Sequence, residues 1–314
     1  MAIKEHVSSN SFFKFNSNQL KANPLLNAVN LIFRLINKLL RFSLKIELRK
    51  VRPECDDYLL SKIESKKIKA LQLSSLSQYF KRFFNSLNVN INNYDFTAMI
   101  KKYDDLFFDH PISNLNGGMT YNSGLLTFLF VNIINPDIVI ESGVWKGFST
   151  YLIDHASSSH CKIFCFDINY SKLEYRSSKA TYFEQDIENS TINFSGKKVL
   201  AFFDDHVSHY HRLLYCLKQQ VEHIILDDDV PLQAVHSDGW PPIPTANMLK
   251  NYEKIPHEFD WLSLGRHGMA DISGLDASTV ISKFHYATMS DLFQFTGFKN
   301  GSFTSILSRS DLVI

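Results

Sequence analysis

The apolar positions of this chain change period near residue 135. Before it they recur at helical spacing; after it they come in short unbroken runs. Residues 1–22 are polar, and their Asn, Ser and Lys content predicts a poorly ordered start. Asn23-Pro24 reads as an N-cap followed by the first helical position, opening a helix that runs to about Lys50, ahead of Pro53. Leu59, Ile63, Leu71, Leu73, Leu76, Tyr79 and Phe80 continue near helical spacing. Further helices are predicted over Tyr94–Phe108, stopped by His110-Pro111, and over Thr120–Ile134. Asn116-Gly117-Gly118 breaks the pattern and separates an α-helical N-terminal region (1–114) from a second domain (115–314).

From Asp137 the pattern alternates. Ile138-Val139-Ile140, Lys162–Phe166, Ala180–Phe183, Lys198–Phe203 and His223–Leu226 are short apolar runs of the kind that form strands buried on both faces. Helical stretches lie between several of them. This is the signature of an α/β fold: a Rossmann-like, doubly wound, mostly parallel sheet of about seven strands. Phe284–Phe298 and Ser302–Arg309 are expected to close it as a helix and strands, in the manner of a hairpin. Each of the five runs ends on an acid or amide: Glu141, Asp167, Gln185-Asp186, Asp204-Asp205 and Asp227-Asp228-Asp229. Ligands bind at the carboxyl ends of strands in such sheets, so these groups are predicted to converge on one rim.

The first run continues as Glu141-Ser142-Gly143-Val144-Trp145-Lys146-Gly147, with a helix starting near Phe148. Gly143 permits a tight turn and close approach of a ligand. The amides of Gly147–Ser149 sit at a helix N-terminus, which favours negative charge. The spacing is Glu-x-Gly-x-x-x-Gly, with Trp145 where a dinucleotide enzyme carries its middle glycine. Asp167 stands 20 residues beyond Gly147, where a carboxylate can accept both hydroxyls of a ribose or cap the next helix. Gln185 and Asp186 are placed to read an adenine edge.

Composition alters this picture in one place. The whole chain, 45% hydrophobic and 21% charged, has a formal net charge of only +1, but residues 1–52 hold ten Lys/Arg against Glu5 and Glu47, a net of +8 that leaves −7 for the rest. Arg34, Lys38, Arg41, Lys45, Arg49 and Arg52 fall in one helical stripe opposite Leu35, Ile36, Leu39, Leu40, Phe42 and Ile46. Charges inside the apolar run argue against a membrane span, since each costs roughly 2.5–3.5 kcal/mol at a bilayer centre. Residues 24–52 read either as a helix lying on an anionic membrane surface or as one packed on the body or on a second subunit of a homo-oligomer. Nothing in the pattern points to nucleic acid. Cys55, Cys161, Cys165 and Cys216 have no paired zinc spacing, and the start of the chain is polar through Asn23. The expected compartment is cytoplasmic, with peripheral attachment to the inner face of the membrane if the stripe binds lipid.

With these residues in view, the segment from about 118 to 310 resembles a class I S-adenosylmethionine-dependent methyltransferase. Glu141–Gly147 is similar to the glycine motif of the macrocin O-methyltransferase-like branch, related to proteins known as cephalosporin hydroxylases and rhamnosyl O-methyltransferases. The resemblance implies an S-adenosylmethionine site formed by Glu141, Gly143, Gly147, Ser149, Asp167, Gln185 and Asp186. It also implies Mg²⁺ bound by Asp204, Asp227 and Asp228 and gripping a sugar diol. Two departures stand out: Asp229 replaces an aromatic, and His206 follows Asp204-Asp205. Independently of the resemblance, carboxylates crowded on one rim repel, and a hard divalent cation relieves that conflict. Such an ion also lowers the pKa of a bound hydroxyl. Asp204 and His206 are the catalytic candidates, His206 as the base, because imidazole titrates near neutral pH; His206 equally suits a helix cap. A zinc site from His206, His209 and His211 is disfavoured, because 211 points away from the other two. Asp229 and Trp240 are candidate acceptor contacts, the latter in the Pro-rich loop Val230–Thr245, where it stacks on a sugar or simply packs. The implied activity is O-methylation of a sugar or glycoconjugate hydroxyl. Alternatives are methylation of a small non-sugar diol or phenol, or a non-catalytic nucleotide-fold binding protein at a membrane-associated assembly.

Overall fold

The computed structural model describes residues 62–113, 115, 118–237, 240–263, 266–298 and 303–311. The expectations for residues 1–22 and for the basic helix 24–52 lie outside them. Among the described residues no helix is long and apolar enough to cross a membrane.

Seven strands form one sheet. In chain order the elements that matter are helix α1 (Lys62–Asn85), α2 (Phe96–Phe108), α3 (Tyr121–Ile134), strand β1 (Ile138–Ser142), α4 (Phe148–Ala156), β2 (Lys162–Asp167), β3 (Ala180–Glu184), β4 (Val199–Phe203), α5 (His209–Gln219) and β5 (His223–Leu226). Then follow α6 (Ala246–Lys250), β6 (Glu258–Ser263), β7 (Arg266–Asp271), α7 (Ala277–Ser282), β8 (Phe284–Thr288), α8 (Phe293–Thr296) and β9 (Ser305–Arg309). The order across the sheet is β3-β2-β1-β4-β5-β9-β8. Strands β1 to β5 pair in parallel, while β9 is antiparallel to both β5 and β8. The doubly wound α/β sheet read from the sequence is therefore the observed one, with its closing strands β8 and β9 flanking the short helix α8.

Burial explains the unbroken apolar runs of the central strands, but not that of β3, which was expected to be covered on both faces and instead lies at the sheet edge with no residue fully buried. Every residue of β1, β4 and β5 is buried. Side chains alternate between two cores, as strand geometry requires. Val139, Leu200, Phe202 and Ile225 enter one core; Ile138, Ile140, Val199, Ala201, Phe203 and Ile224 enter the other. The first is covered by α1 to α4. Helix α3 is apolar all round and has 13 of its 14 residues buried, as expected of a helix enclosed on every side. It ends at Asn135 in the left-handed conformation, whose N–H returns to Val131 O. Phe84 of α1 stacks on Phe130 of α3 at 5.8 Å, and Tyr103 of α2 donates to Tyr121 O. The predicted boundary at 114/115 thus falls between helices that share one core.

The chain winds from β1 outward to β3, then crosses back to β4 and winds the other way. The reversal lies between β1 and β4, which pair from Ile138↔Val199 to Ser142↔Phe203. The crevice at that switch point is where the fold accepts a ligand. One element was not legible in the sequence: β6 and β7 form a separate antiparallel pair. Both strands carry charged residues among their apolar ones, so they never form the unbroken runs that marked the central strands.

Candidate active site

A cavity of about 940 Å³ opens at the carboxyl ends of β1 to β5. That volume suits a small-molecule ligand. The glycine turn forms its floor. Gly143 has φ +89°, and a Cβ placed there would lie 2.1 Å from the Asp204 carbonyl oxygen, so β1 and β4 meet here only because the side chain is hydrogen. Asp167 braces the turn from β2: its Oδ2 accepts the N–H groups of Val144 (2.8 Å) and Trp145 (2.9 Å), and its Oδ1 accepts that of Asn169 (3.0 Å). Trp145 is thereby held at φ +46°.

The sequence-predicted cofactor residues divide into two groups. Gly143, Asp167, Gln185 and Asp186 line the cavity. Glu141, Gly147 and Ser149, expected in the same wall, lie beneath it instead. Glu141 is fully buried; Ser149 Oγ, Thr150 Oγ1 (2.6 Å) and Cys165 Sγ (3.2 Å) all donate to its carboxylate. Alternation along β1 and the register Glu141↔Cys165 aim the side chain under α4, away from the crevice. Burial pushes its carboxyl above the usual range, against the pull of those three donors. Gly147 serves α4 as its N-cap residue at φ +87°, where a Cβ would meet Tyr175 O at 2.7 Å.

At the carboxyl ends of β4 and β5, Asp204, His206 and Asp228 each offer a ligand atom, all within 4.8 Å of one another. His206 Nδ1 lies 3.7 Å from Asp228 Oδ2. Both residues occupy the left-handed region, His206 at φ +57° and Asp228 at φ +54°. Three of the six described non-glycine residues with positive φ, these two and Trp145, border one cavity. Backbone strain of this kind concentrates where side chains must be aimed at a ligand. Two carboxylates suit a divalent cation that keeps several waters, and an imidazole stands beside them.

Asp227 and Asp229 behave differently from Asp228 between them. Asp227 borders the cavity but is nearly buried, with the Thr304 hydroxyl on its Oδ1 (2.8 Å). It is not in the three-residue cluster; His206 is. Asp229, expected to touch an acceptor, is fully buried and does not reach the cavity. It accepts from Asn247 N–H (2.7 Å) and the Tyr286 hydroxyl (2.7 Å), and His209 Nδ1 is 3.4 Å away. Burial works against ionisation there, but His209 and the donated hydrogen bonds hold the carboxyl below the usual range. In place of an acceptor contact, Asp229 anchors the loop after β5. His209 Nδ1 also lies 3.2 Å from the Ala246 backbone nitrogen, so the ring turns inward rather than toward His206 or His211. Trp240 does border the cavity, half exposed, with the Arg266 guanidinium 4.7 Å from its ring centre.

Arg212 was missed in the sequence. It is the bulkiest fully buried side chain among the described residues, bound to Asp186, Asp205 and Glu188. The available signal was position: it shares the buried face of α5 with His209, Leu213, Tyr215 and Cys216. A charge on an apolar face needs a buried partner.

No family model matches the chain, and no curated protein matches it. Among solved structures it is similar to the O-methyltransferase TomG of Streptomyces achromogenes, bound to S-adenosylmethionine (15% identity, TM-score 0.41, 75% of this chain and 96% of that one). It is also similar to an O-methyltransferase of Bacillus cereus in complex with S-adenosylhomocysteine (13%, 0.37, 75% and 97%). A third is a cmcI structure with Mg²⁺ and S-adenosylmethionine (10%, 0.36, 64% and 78%). TM-scores below 0.5 at these identities do not decide an activity, and the functional reading rests on the residues of the cavity.

Proposed function

We propose that this protein is an S-adenosylmethionine-dependent O-methyltransferase that uses a divalent cation, Mg²⁺ by preference, and acts on a hydroxyl of a sugar or glycoconjugate. The observation that carries the reading is the juxtaposition in one cavity of two unlike sets of residues. One holds a glycine turn, Asp167, Gln185 and Asp186, arranged for a nucleoside. The other holds Asp204, His206 and Asp228, arranged for a cation and an ionising hydroxyl. S-adenosylmethionine, when bound, supplies an electrophilic methyl group. The protein's own task is positional: to hold the acceptor oxygen in line with that methyl and take up its proton. Asp204 and Asp228 would hold the cation, which favours the deprotonated acceptor. His206, beside Asp228, accepts the proton at an imidazole nitrogen. Trp240 supplies a flat apolar face at the mouth, suited to a sugar ring.

The test is calorimetry with S-adenosylhomocysteine, followed by methyl transfer to a panel of glycosides, catechols and simple phenols with and without EDTA. Saturable binding at a stoichiometry of one and EDTA-sensitive methylation of glycosides are expected. No binding at millimolar ligand rejects the enzyme reading in favour of a non-catalytic binding protein; methylation of catechols or phenols alone rejects the sugar. The basic stripe of residues 24–52 supports an acceptor presented at an anionic membrane, each charge contributing about 1 kcal/mol near such a surface. Flotation of the full chain, but not of a chain lacking residues 1–52, on anionic vesicles at low salt is the expected result. Equal, negligible flotation of both removes the membrane.

A further inference from the structure

The ends of β3 and β4 form opposite parts of the cavity wall, and β2 and β1 lie between them in the sheet. The two strands do not pair directly, and one side chain bridges the residues that follow them. Arg212 of α5 is 1% exposed and spans both. Its Nη2 donates to Asp186 Oδ2 at 2.7 Å and its Nη1 to Asp186 Oδ1 at 3.1 Å, just beyond β3. Its Nε donates to Asp205 Oδ2 at 2.9 Å, just beyond β4. Glu188 Oε1 lies 3.4 Å from Nη1, and the Phe203 ring centre lies 5.7 Å from the guanidinium carbon. Asp186 and Asp205 line the cavity, whereas Arg212 does not.

Burying a guanidinium among carboxylates is a poor way to gain stability, because desolvation consumes most of the attraction. It is a good way to fix direction, because the planar fork admits one geometry for each bidentate partner. The acceptor count on Asp186 shows what is directed. Its Oδ1 receives Arg212 Nη1 and the Glu188 N–H (2.8 Å), and its Oδ2 receives Arg212 Nη2. A carboxylate oxygen accepts two hydrogen bonds, so Oδ2 retains a second acceptor direction, and the Arg212 fork sets where it points.

We infer that Arg212 is a positioning residue for the nucleoside end of the cavity: it clamps Asp186 and Asp205 across the switch point so that Asp186 Oδ2 is held ready for a nucleoside N–H or hydroxyl. The inference rests on the proposed S-adenosylmethionine site. The Asp186 carboxyl lies below the usual range: burial raises it, but the Arg212 hydrogen bonds, the Glu188 N–H and the Arg212 charge lower it.

Calorimetry with S-adenosylhomocysteine tests it, since fitted stoichiometry separates the folded fraction from the affinity of each folded molecule. R212K keeps the charge and loses the fork. It should raise Kd at least tenfold at a stoichiometry near one, while the acceptor KM at saturating S-adenosylmethionine stays within twofold. In R212A, ~10 mM guanidinium, which restores a planar fork where methylammonium cannot, should recover much of the lost affinity. If neither variant folds, Asp205→Asn leaves the guanidinium in place with one anchor fewer and should raise Kd about threefold. Wild-type Kd in R212K, or in Asp205→Asn where that variant decides, overturns the clamp and leaves Arg212 a packing residue. So does rescue of R212A by methylammonium as effective as by guanidinium. No binding by the wild-type protein overturns the cofactor site and the clamp with it.

Discussion

Asp228 and Asp229 are adjacent in the chain and leave the same strand, yet they do opposite work. Asp229 is fully buried, ringed by Asn247 N–H, the Tyr286 hydroxyl and His209, and it anchors the segment that returns from the cavity mouth. Asp228 turns at φ +54° into the cavity and meets His206 and Asp204. Glu141 and Asp167 repeat the contrast on the other side. The first is enclosed by hydroxyls under α4; the second braces the glycine turn and still borders the cavity. A carboxylate at a strand end is therefore scaffold or site according to which way the last residues of the strand turn it.

Five substitutions press on this contrast. The largest effect is expected at the turn both sides depend on. Gly143→Val would set a branched side chain where even a Cβ lies 2.1 Å from Asp204 O, at a φ hostile to it. S-adenosylhomocysteine binding should fall below detection by calorimetry, accompanied by a loss of roughly 3 kcal/mol or more in urea unfolding, in keeping with the mechanisms behind large mutational effects. Unchanged affinity would show that the turn does not hold the cofactor.

The neighbouring acids come next. Asp229→Asn should cost about 3 kcal/mol, since it breaks a buried hydrogen-bonded charge network, while the kcat of each folded molecule changes little. Asp228→Asn should do the reverse: stability within about 0.5 kcal/mol, but turnover down on the order of 100-fold and a weaker response to added Mg²⁺. The two assays together decide the matter, and similar profiles for the two variants would erase the distinction between scaffold and site.

His223 supplies a pH test of the scaffold alone. It opens β5, is nearly buried against Phe130 and Ser308, and has a pKa lowered to about 4 by burial and then by the Lys198 charge. The folded state thus resists a proton that the unfolded chain accepts near 6.5. The stability owed to this difference is complete above that value and is lost as pH falls from about 6.5 to about 4, by up to ~3 kcal/mol. His223→Gln should flatten the stability profile across that window; an unaltered slope would assign the loss to other groups. The smallest effect is expected at the mouth. Trp240→Ala should leave stability unchanged within about 0.5 kcal/mol, as at other exposed positions, and raise the acceptor KM about tenfold.

Much of this architecture was readable in one dimension. The runs at Ile138–Ile140, Lys198–Phe203 and His223–Leu226 announced strands covered on both faces, because only such strands can be apolar at every position. Their acidic ends announced a rim, because parallel strands place all their carboxyl ends on one side. Gly143 was legible as an unavoidable glycine. What the chain alone did not decide was the direction of each acid. Glu141 and Ser149 passed under the wall because the register with β2 sets Cys165 opposite Glu141 and the first turn of α4 closes over it. Asp229 faces inward and Asp228, in the left-handed region, faces the cavity, and the run of three aspartates does not show which of them does which. His206 falls within 4.8 Å of Asp204 and Asp228, with Asp227 set back against Thr304, for the same kind of reason. Arg212 was invisible because its partners, Asp186 and Asp205, are 26 and 7 residues away and meet only when the sheet is wound. Periodicity and strand ends record short-range geometry, which the sequence determines residue by residue. The pairing of buried charges is a property of distances across the sheet, and those exist only once the fold is made.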